Sequence, residues 1–316
     1  MYEAALFAAS LRHADPNFDG RLIVAEPQPG DLWPGDPRIP DGPVRELLVE
    51  LGAEIAPFES RYFGADYPNG NKIEGLAALP AGEPFVFFDT DTAILAPLSE
   101  IALDPAQPAA SMKRENTWPT IELYGPDHTE IWGALYARMG LELAGSLDED
   151  WPASHWKRYL YFNAGWFFGA DPAAFHDAFL KAALMIRDDP PDALVCQQIY
   201  PWLDQIALPL AIHALGGGRP GDRGGIATDV LDGSHSVHWR VMPLFYATAS
   251  DPAVATVEAA AAPNRIKKVL KEYEPFRRFL YQNRGAKARA LFDRDTLPRR
   301  EQAIRNRLRR EGLWMR

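Results

Sequence analysis

The chain has 316 residues, of which 47% are hydrophobic and 24% charged, as in an ordinary globular protein with one large α/β domain or two modest ones. Its net charge of −10 disfavours nucleic acid as a main partner, because an acidic surface repels phosphates. The single cysteine, Cys196, excludes an internal disulfide, and the sequence has neither a signal-peptide pattern nor a run of about eighteen apolar residues, so we predict a cytoplasmic protein without a membrane-spanning helix.

The first half of the chain alternates predicted helices and strands. Helices are expected at residues 2–12, 44–51 and 72–79, and strands at residues 21–25, 54–58 and 85–88. Short strands that alternate with helices predict a mainly parallel sheet with helices on both faces. The expected fold class is therefore α/β and Rossmann-like.

The apolar run at residues 85–88 ends abruptly in Asp89-Thr90-Asp91. Four consecutive apolar residues, three of them aromatic, predict a strand that is buried on both faces. Asp89 and Asp91 are two positions apart, so in extended backbone their side chains point the same way. Two convergent carboxylates at a strand end suit a divalent cation that also holds a diphosphate. The alternative is an Asx turn in which both acids are solvated.

The second half contains a further apolar stretch at residues 159–169. Asn163 and Gly165 interrupt it, which indicates a bulge or a close approach of backbone to a ligand. Helices are predicted at residues 173–187 and within 193–214, and a strand at residues 238–246. The tail is predicted to hold at least two helices, one at about residues 265–281 and one that Thr296 can cap and that ends before Gly312.

Charge divides the chain into an acidic body and a basic tail. Residues 263–316 hold 17 Lys and Arg against 6 Asp and Glu, a net charge of +11, so the rest carries −21. We predict a domain at residues 1–250 and a basic helical C-terminal extension at residues 251–316. The extension either packs on the body as terminal helices or makes peripheral contact with an anionic membrane, and both can hold. Packing would bury its apolar residues, namely Ile266, Leu270, Phe276, Phe279 and Leu280.

Three segments together resemble one enzyme family. Asp89-Thr90-Asp91, Phe162-Asn163-Ala164-Gly165 and Leu203-Asp204-Gln205 follow in an order and spacing that resembles the GT-A glycosyltransferases. The nearest likeness is to the retaining family of glycogenin and the bacterial lipooligosaccharide galactosyltransferases, over roughly residues 2–246. The resemblance implies a GT-A fold and metal-dependent transfer of a hexose from a nucleotide sugar, a UDP-sugar, to a glycan or lipid-linked acceptor.

The resemblance also implies roles for individual residues. Asp89 and Asp91 would hold Mn²⁺ or Mg²⁺, and Lys72 would approach the sugar or phosphate. The donor-sugar pocket and the anomeric carbon would be faced by a second set of residues: Asn163, Ala164, Gly165, Asp204 and Gln205. An amide or carboxylate oxygen near a developing oxocarbenium charge stabilises it electrostatically, which fits the last two.

The third metal ligand of that family is a late His in a His-x-x-Gly-x-x-Lys-Pro-Trp stretch. His238 is the candidate here, although its neighbours lack the Gly and Lys of that pattern. Lys267 falls closer to the expected place and is a candidate phosphate contact. For His238 the alternative is a hydrogen-bonded core histidine.

A first strand ahead of the first helix is also expected from the resemblance, whereas this chain opens with the predicted helix at residues 2–12. Loss of a central strand would leave unpaired backbone beside the strand that carries Asp89. Met1 then lies inside a longer gene product, or another segment fills the place, or the nucleotide site is degenerate. A mis-set start is our working hypothesis.

Two other functions remain open on the sequence. A degenerate GT-A domain could bind a sugar or partner without turnover. Residues 88–92 also loosely resemble the Asp-x-Asp strand of haloacid-dehalogenase-like phosphatases. That family has Thr or Val where Ala93 stands here, and its motif normally lies near the N-terminus.

Overall fold

A computed structural model describes residues 1–113, 118–221, 226–227 and 229–315. The strands are β1 (Leu22–Pro27), β2 (Ala53–Phe58), β3 (Phe85–Phe88), β4 (Thr92–Ile94), β5 (Ala110–Ser111), β6 (Asn163–Gly169) and β7 (Ser236–His238). The helices are α1 (Tyr2–Ala14), α2 (Pro43–Glu50), α3 (Asn71–Glu74), α4 (His128–Met139), α5 (Pro172–Asp188), α6 (Leu203–Ala214), α7 (Met242–Thr248), α8 (Asp251–Ala261), α9 (Asn264–Leu270), α10 (Glu274–Leu280), α11 (Arg284–Ala290) and α12 (Glu301–Arg310).

The predicted α/β class and the helical C-terminal region are confirmed, and β1 pairs with β2 in parallel. The order of elements in the first half is also as predicted, except that the third helix is short and continues as a 3₁₀ turn at Gly75–Ala78. Side chains cap the N-termini of α4, α5 and α8. In α5, for example, the Asp171 side chain accepts from the backbone N–H of Ala173, and Pro172 occupies the first position.

The pairing around β3 differs from the expectation of a mainly parallel sheet. β3 pairs antiparallel with β6, which pairs antiparallel with β5. The stretch at residues 159–169 therefore runs back along the Asp-bearing strand, and Phe87 stacks on Phe167 with ring centroids 4.6 Å apart. Aromatic pairs of this kind fix the register, because a slip by one residue would turn every side chain to the other face.

The predicted strand at residues 238–246 is wrong beyond its first residue. β7 ends at His238, and Met242–Thr248 form helix α7 with Pro243 in its first turn. A short apolar run does not distinguish a buried strand from a buried helix, and here the run is buried all round as a helix. β7 pairs antiparallel with β4 and sets His238 opposite Thr92.

The described part of the chain has two large hydrophobic clusters. One joins α1, α2 and β4 to the helices from α7 onward, and the other joins α4, α5, α6 and β6. The chain passes from the second cluster to the first between β3 and β4. Asp89 and Asp91 lie at this passage.

The C-terminal extension packs on the body. Ile266, Leu270, Phe276 and Phe279 are buried in the same cluster as α1 and α2, and Leu280 is partly buried against it. Pro275 lies in the first turn of α10, and the predicted helix at residues 265–281 is divided in two ahead of it. The last helix begins at Glu301, later than a cap at Thr296 would place it. The division at residue 250 itself stays a prediction.

A gap separates strands β1 and β3. In the described residues no backbone hydrogen bond joins β1 to β3; instead the two strands line one cavity of about 1010 Å³. β3, predicted to be buried on both faces, is covered only in part: Phe85 is buried, but Val86 is 36% exposed and lines the cavity. No helix in the described part of the chain is long and apolar enough to cross a membrane.

Candidate metal and donor site

The turn between β3 and β4 is fixed by its backbone. The N–H of Asp89 donates to the carbonyl of Gly165 at 2.8 Å, and the N–H of Thr92 donates to the carbonyl of Asp89 at 3.1 Å. The first bond ties the turn to β6, and the second closes it tightly. Both carboxylates are therefore held at the edge of the sheet by main-chain geometry.

His238 completes the cluster, although it lies about 150 residues after the two aspartates in the sequence. Its strand lies beside β4, and the N–H of Trp239 donates to the carbonyl of Asp91 at 2.9 Å. His238 Nε2 lies 3.1 Å from Asp91 Oδ1 and 3.9 Å from Asp89 Oδ2. One ligand atom from each of the three residues lies within 4.8 Å of the others.

This donor set fits a divalent cation. Two carboxylates and one imidazole suit Mn²⁺ and similar borderline ions, and carboxylates alone suit Mg²⁺. Asp89, Asp91 and His238 are each only partly buried, so the cluster is open to an incoming ion. The structure thus brings together the three residues that were predicted as metal ligands.

Gly165 makes room for the histidine. A Cβ atom at this position would lie 2.3 Å from His238 Nδ1 and 2.9 Å from its Cε1. The imidazole therefore packs directly on the backbone of β6, and only glycine permits that contact. The glycine inside the apolar stretch marks a close approach of a side chain that itself belongs to the site.

Lys72 joins this cluster to a second carboxylate. Its Nζ lies 2.9 Å from Asp89 Oδ1 and 3.1 Å from Asp204 Oδ2, and it donates to the carbonyl of Ala164 at 3.1 Å. The side chain is only 10% exposed. Burial lowers the pKa of Lys72, but the charges of Asp89 and Asp204 outweigh burial and raise it, so the ammonium stays protonated.

The pKa values of Asp89 and Asp91 are shifted in opposite directions. Burial raises the pKa of Asp89, and the Lys72 ammonium opposes this rise only in part. Burial acts on Asp91 too, but its hydrogen bond with His238 and the histidine's charge outweigh it, so the pKa of Asp91 lies below its ordinary value. Glu3 of α1 adds a third acid nearby, and burial, followed by the Asp91 charge, raises its pKa. Negative charge is thus crowded where a cation would bind.

Asp204 lies in a buried network. Its Oδ1 accepts from the Tyr67 hydroxyl at 2.7 Å, and its backbone N–H donates to the same hydroxyl at 2.9 Å. Burial raises the pKa of Tyr67, and the Asp204 charge adds to the rise. Both carboxylate oxygens of Asp204 are engaged, one by Tyr67 and one by Lys72.

Gln205 and Asn163, also predicted as site residues, are held by hydrogen bonds of their own. Gln205 Oε1 accepts from the Tyr161 hydroxyl at 2.9 Å. Asn163 Nδ2 donates to the carbonyl of Lys113 at 3.0 Å, and Asn163 Oδ1 accepts from the N–H of Gly165 at 3.1 Å. Asn163 thus shapes the backbone that carries Ala164 and Gly165.

Lys267 stays a prediction as a phosphate contact. It lies on α9, which contacts α1 and α2, and its Nζ lies 5.7 Å from the centroid of the Tyr281 ring.

Asp232 was not foreseen from the sequence. Its carboxylate accepts from Ser111 Oγ at 2.7 Å and from Trp166 Nε1 at 2.9 Å. Burial raises its pKa, while these two hydrogen bonds and the charges of Lys113 and His238 lower it less. Asp-Gly-Ser at residues 232–234 is typical of a solvated turn, so the sequence held no signal for a partly buried, hydrogen-bonded acid.

The model of the Rhodobacterales glycosyltransferase domain family matches residues 1–216, more than half of the chain. The chain belongs to this glycosyltransferase family. The match covers β3, β6 and the whole of α6, and with them every predicted site residue except His238 and Lys267. Neither the curated proteins nor the solved structures contain a match to this glycosyltransferase.

Proposed function

We propose that this glycosyltransferase moves a hexose from a nucleoside-diphosphate sugar, a UDP-sugar, to a glycan or lipid-linked acceptor with retention at the anomeric carbon. The observation that carries the proposal is the convergence of Asp89, Asp91 and His238. Family membership supports transfer of a sugar. The divalent cation, Mn²⁺ or Mg²⁺, is part of the proposal.

Asp89, Asp91 and His238 hold that cation. The chemistry it supplies when bound is neutralisation of the charge that builds on the leaving diphosphate. Lys72 adds a fixed positive charge beside Asp89, and its ion pair with Asp204 keeps the ammonium in place. Because this charge is already oriented, no reorganisation is required when negative charge develops.

Asp204 and Gln205 have different roles in this proposal. The carboxylate of Asp204 is buried and doubly engaged, so in this proposal it positions Lys72 and Tyr67. Gln205 is partly exposed and presents its amide at the start of α6, where its oxygen stabilises positive charge on the sugar ring. Asn163, Ala164 and Gly165 form the wall of the donor-sugar pocket.

When the acceptor is lipid-linked, the enzyme in this proposal contacts the membrane that carries it. The extension at residues 251–316 carries much of the chain's positive charge, and α12 exposes Arg307, Arg309 and Arg310 while it buries Ile304 and Leu308. A basic surface on a packed helix suits peripheral contact with anionic lipid at the inner face of the membrane, where a lipid-linked acceptor would lie.

Calorimetric titration with UDP, with and without Mn²⁺, tests the donor site. We expect UDP to bind only when Mn²⁺ is present, and Asp91→Asn to weaken that binding at least about tenfold, which is about 1.4 kcal/mol. The matched control is Asp177→Asn, since Asp177 is exposed on α5. Release of UDP from a UDP-sugar should follow the same pattern.

Three results separate the alternatives. Equal UDP affinity with and without metal, unchanged in Asp91→Asn, contradicts the metal-dependent site. Hydrolysis of a generic phosphate ester without UDP affinity indicates the phosphatase instead. Metal-dependent UDP binding without turnover of any UDP-sugar indicates a degenerate, non-catalytic domain.

A further inference from the structure

The gap between β1 and β3 is bounded by the edges of two strands that run the same way. Arg21, just ahead of β1, has its Nη1 3.8 Å from Glu83 Oε2, just ahead of β3, so both strands start at the same end of the gap. β1 is paired only on its β2 side, and β3 only on its β6 side, within the residues that the structure describes. Two parallel strands thus present unpaired N–H and C=O groups to one cavity.

The other walls of the gap are helical and mainly apolar, with Lys72 and Asp89 at the end where β3 finishes. α1 contributes Ala4, Phe7 and Leu11, and the Phe7 and Phe88 ring centroids are 5.5 Å apart. The opposite face is formed by Leu76 and Leu79 around the 3₁₀ turn. A segment in this place would be covered on both faces, as a central strand of an α/β sheet is.

We propose that the gap holds a β-strand of the same polypeptide, formed by residues that precede Met1 in a longer gene product and lead directly into α1. This strand runs parallel to β1 and β3, lies about 4.8 Å from each, and joins the two into one sheet. Its side chains are apolar on both faces.

The position of α1 favours an attached strand over a separate one. Thr90 Oγ1 donates to Glu3 Oε2 at 3.4 Å, so α1 starts at the end of the gap where β3 finishes. A strand parallel to β3 would finish at that same end, and a short loop would connect it to Tyr2. From there α1 leads back to β1, which gives the usual strand–helix–strand crossover. Met1 itself lines the gap.

The open backbone edges also favour a peptide over other occupants. An acyl chain would fill the apolar volume but leave the N–H and C=O groups of both strands unpaired, which is costly in a buried place. A nucleotide would place polar groups against Phe7, Leu11 and Val86. A strand satisfies both the apolar walls and the backbone edges.

The first test is the N-terminus of the protein purified from its native host. Mass spectrometry of its N-terminal peptide should reveal residues ahead of Met1 that include an apolar run of five or six residues. A native protein that starts at Met1, or a preceding segment that is polar throughout, overturns the proposal.

The second test supplies a strand to the chain that starts at Met1. One N-terminal extension carries six Val and Ile residues and a three-residue Ser-Asn-Asp loop, and its control has Pro at two central positions, which cannot pair on both sides. We expect hydrogen exchange of the amides in Leu22–Pro27 and Phe85–Phe88 to slow at least about tenfold with the first extension only. The midpoint of thermal unfolding should rise by about 5 °C or more.

Other outcomes of the second test identify other occupants. Equal exchange with both extensions overturns the gap as a strand site. Protection of these amides in the chain without an extension also overturns the attached strand. If dimers form, the occupant is a second copy. If lipid co-purifies, it is an acyl chain, and if protection requires added UDP, it is a nucleotide. None of the supporting readouts requires Mn²⁺ binding or turnover, so failure here leaves the proposed function untouched.

Discussion

Lys72 serves two carboxylates with one ammonium group. The side chain is 10% exposed, and Asp204 is almost fully buried, so the pair depends on its own contacts rather than on water. Breaking a buried ion pair by removing one partner is strongly destabilising, because the remaining charge loses its compensation. The network is therefore structural as well as electrostatic.

Lys72→Met should lower the free energy of unfolding by about 3 kcal/mol, since it leaves Asp204 buried without a cation. Asp204→Asn in the same chain should recover part of this loss, as a double-mutant cycle by urea unfolding would measure. Lys181→Met on the exposed face of α5 is the control and should change nothing measurable. Simple additivity of the two single effects would contradict the coupling.

Gly165→Ala should displace His238, because the new Cβ would lie 2.3 Å from Nδ1. Mn²⁺ affinity, measured by calorimetry, should fall at least about tenfold, as it does when groups that orient a metal ligand are lost. Gly133→Ala is the matched control: its Cβ meets only Leu143, at 3.8 Å, and alanine favours the helix. Unchanged affinity in Gly165→Ala would show that His238 is not a ligand.

Asp89 and Asp91 could be predicted at this scale because strand, turn and acids are contiguous. The roles of Asp204 and Asp232 could not. Tyr67 is far from Asp204 along the chain, and Trp166 is far from Asp232. No local pattern reports which distant hydroxyl or indole will engage a carboxylate.

At the scale of elements, β1 is joined to the segment that follows it by a buried acid. Glu26 is 4% exposed and accepts from Arg45 Nη1 at 2.6 Å and from the backbone N–H of Ile39 at 3.0 Å. It ties β1 to α2 and to the loop between them. Burial raises the pKa of Glu26, but these hydrogen bonds together outweigh it and lower the pKa.

Glu26→Gln should lower the free energy of unfolding by about 2 kcal/mol at pH 7. Because the folded pKa lies below the ordinary 4.5, the contribution of Glu26 is complete above that pH and is lost as the pH falls through the folded value. The difference between the two proteins should therefore shrink on acidification, as chemical unfolding at several pH values would measure. Glu50→Gln, in an exposed pair with Arg265, is the control. A constant difference across this range would contradict the assignment.

Elements with a regular spacing of apolar residues could be predicted from the sequence. Elements that depend on contacts with distant segments could not. α1, α5 and β3 lie close to their expected places because apolar spacing and caps are local. The antiparallel return of β6 and the helix at Met242–Thr248 depend on partners elsewhere in the chain. The alternation of helices and strands predicts parallel crossovers. It does not exclude an antiparallel strand such as β6, which follows a long irregular segment.

At the scale of the whole molecule, the extension both packs and carries charge. Its apolar residues are buried beside α1 and α2, so its exposed surface is enriched in Arg and Lys. The charge asymmetry was readable from composition. The shared core was not, because it depends on which faces of short helices meet.

Binding to vesicles with about a third anionic phospholipid should depend on α12. Arg307→Glu with Arg310→Glu should weaken co-sedimentation at least about tenfold, because each basic residue near the surface contributes about 1 kcal/mol. Arg61→Glu with Lys181→Glu changes the net charge equally at exposed sites elsewhere and is the control. Equal loss in both variants would indicate unspecific attraction, and no loss in either would contradict membrane contact.

The pairing of β4 with β7 extends the candidate metal site beyond the region that matches the family. Family similarity stops at residue 216, yet His238 reaches Asp91 through a strand that begins twenty residues later. A fragment cut at the border of the recognised domain would keep both aspartates and lose the imidazole, together with the strand that covers β4. Fragments for crystallisation or for donor-binding assays should therefore extend at least through α7, so that the histidine arrives on folded backbone.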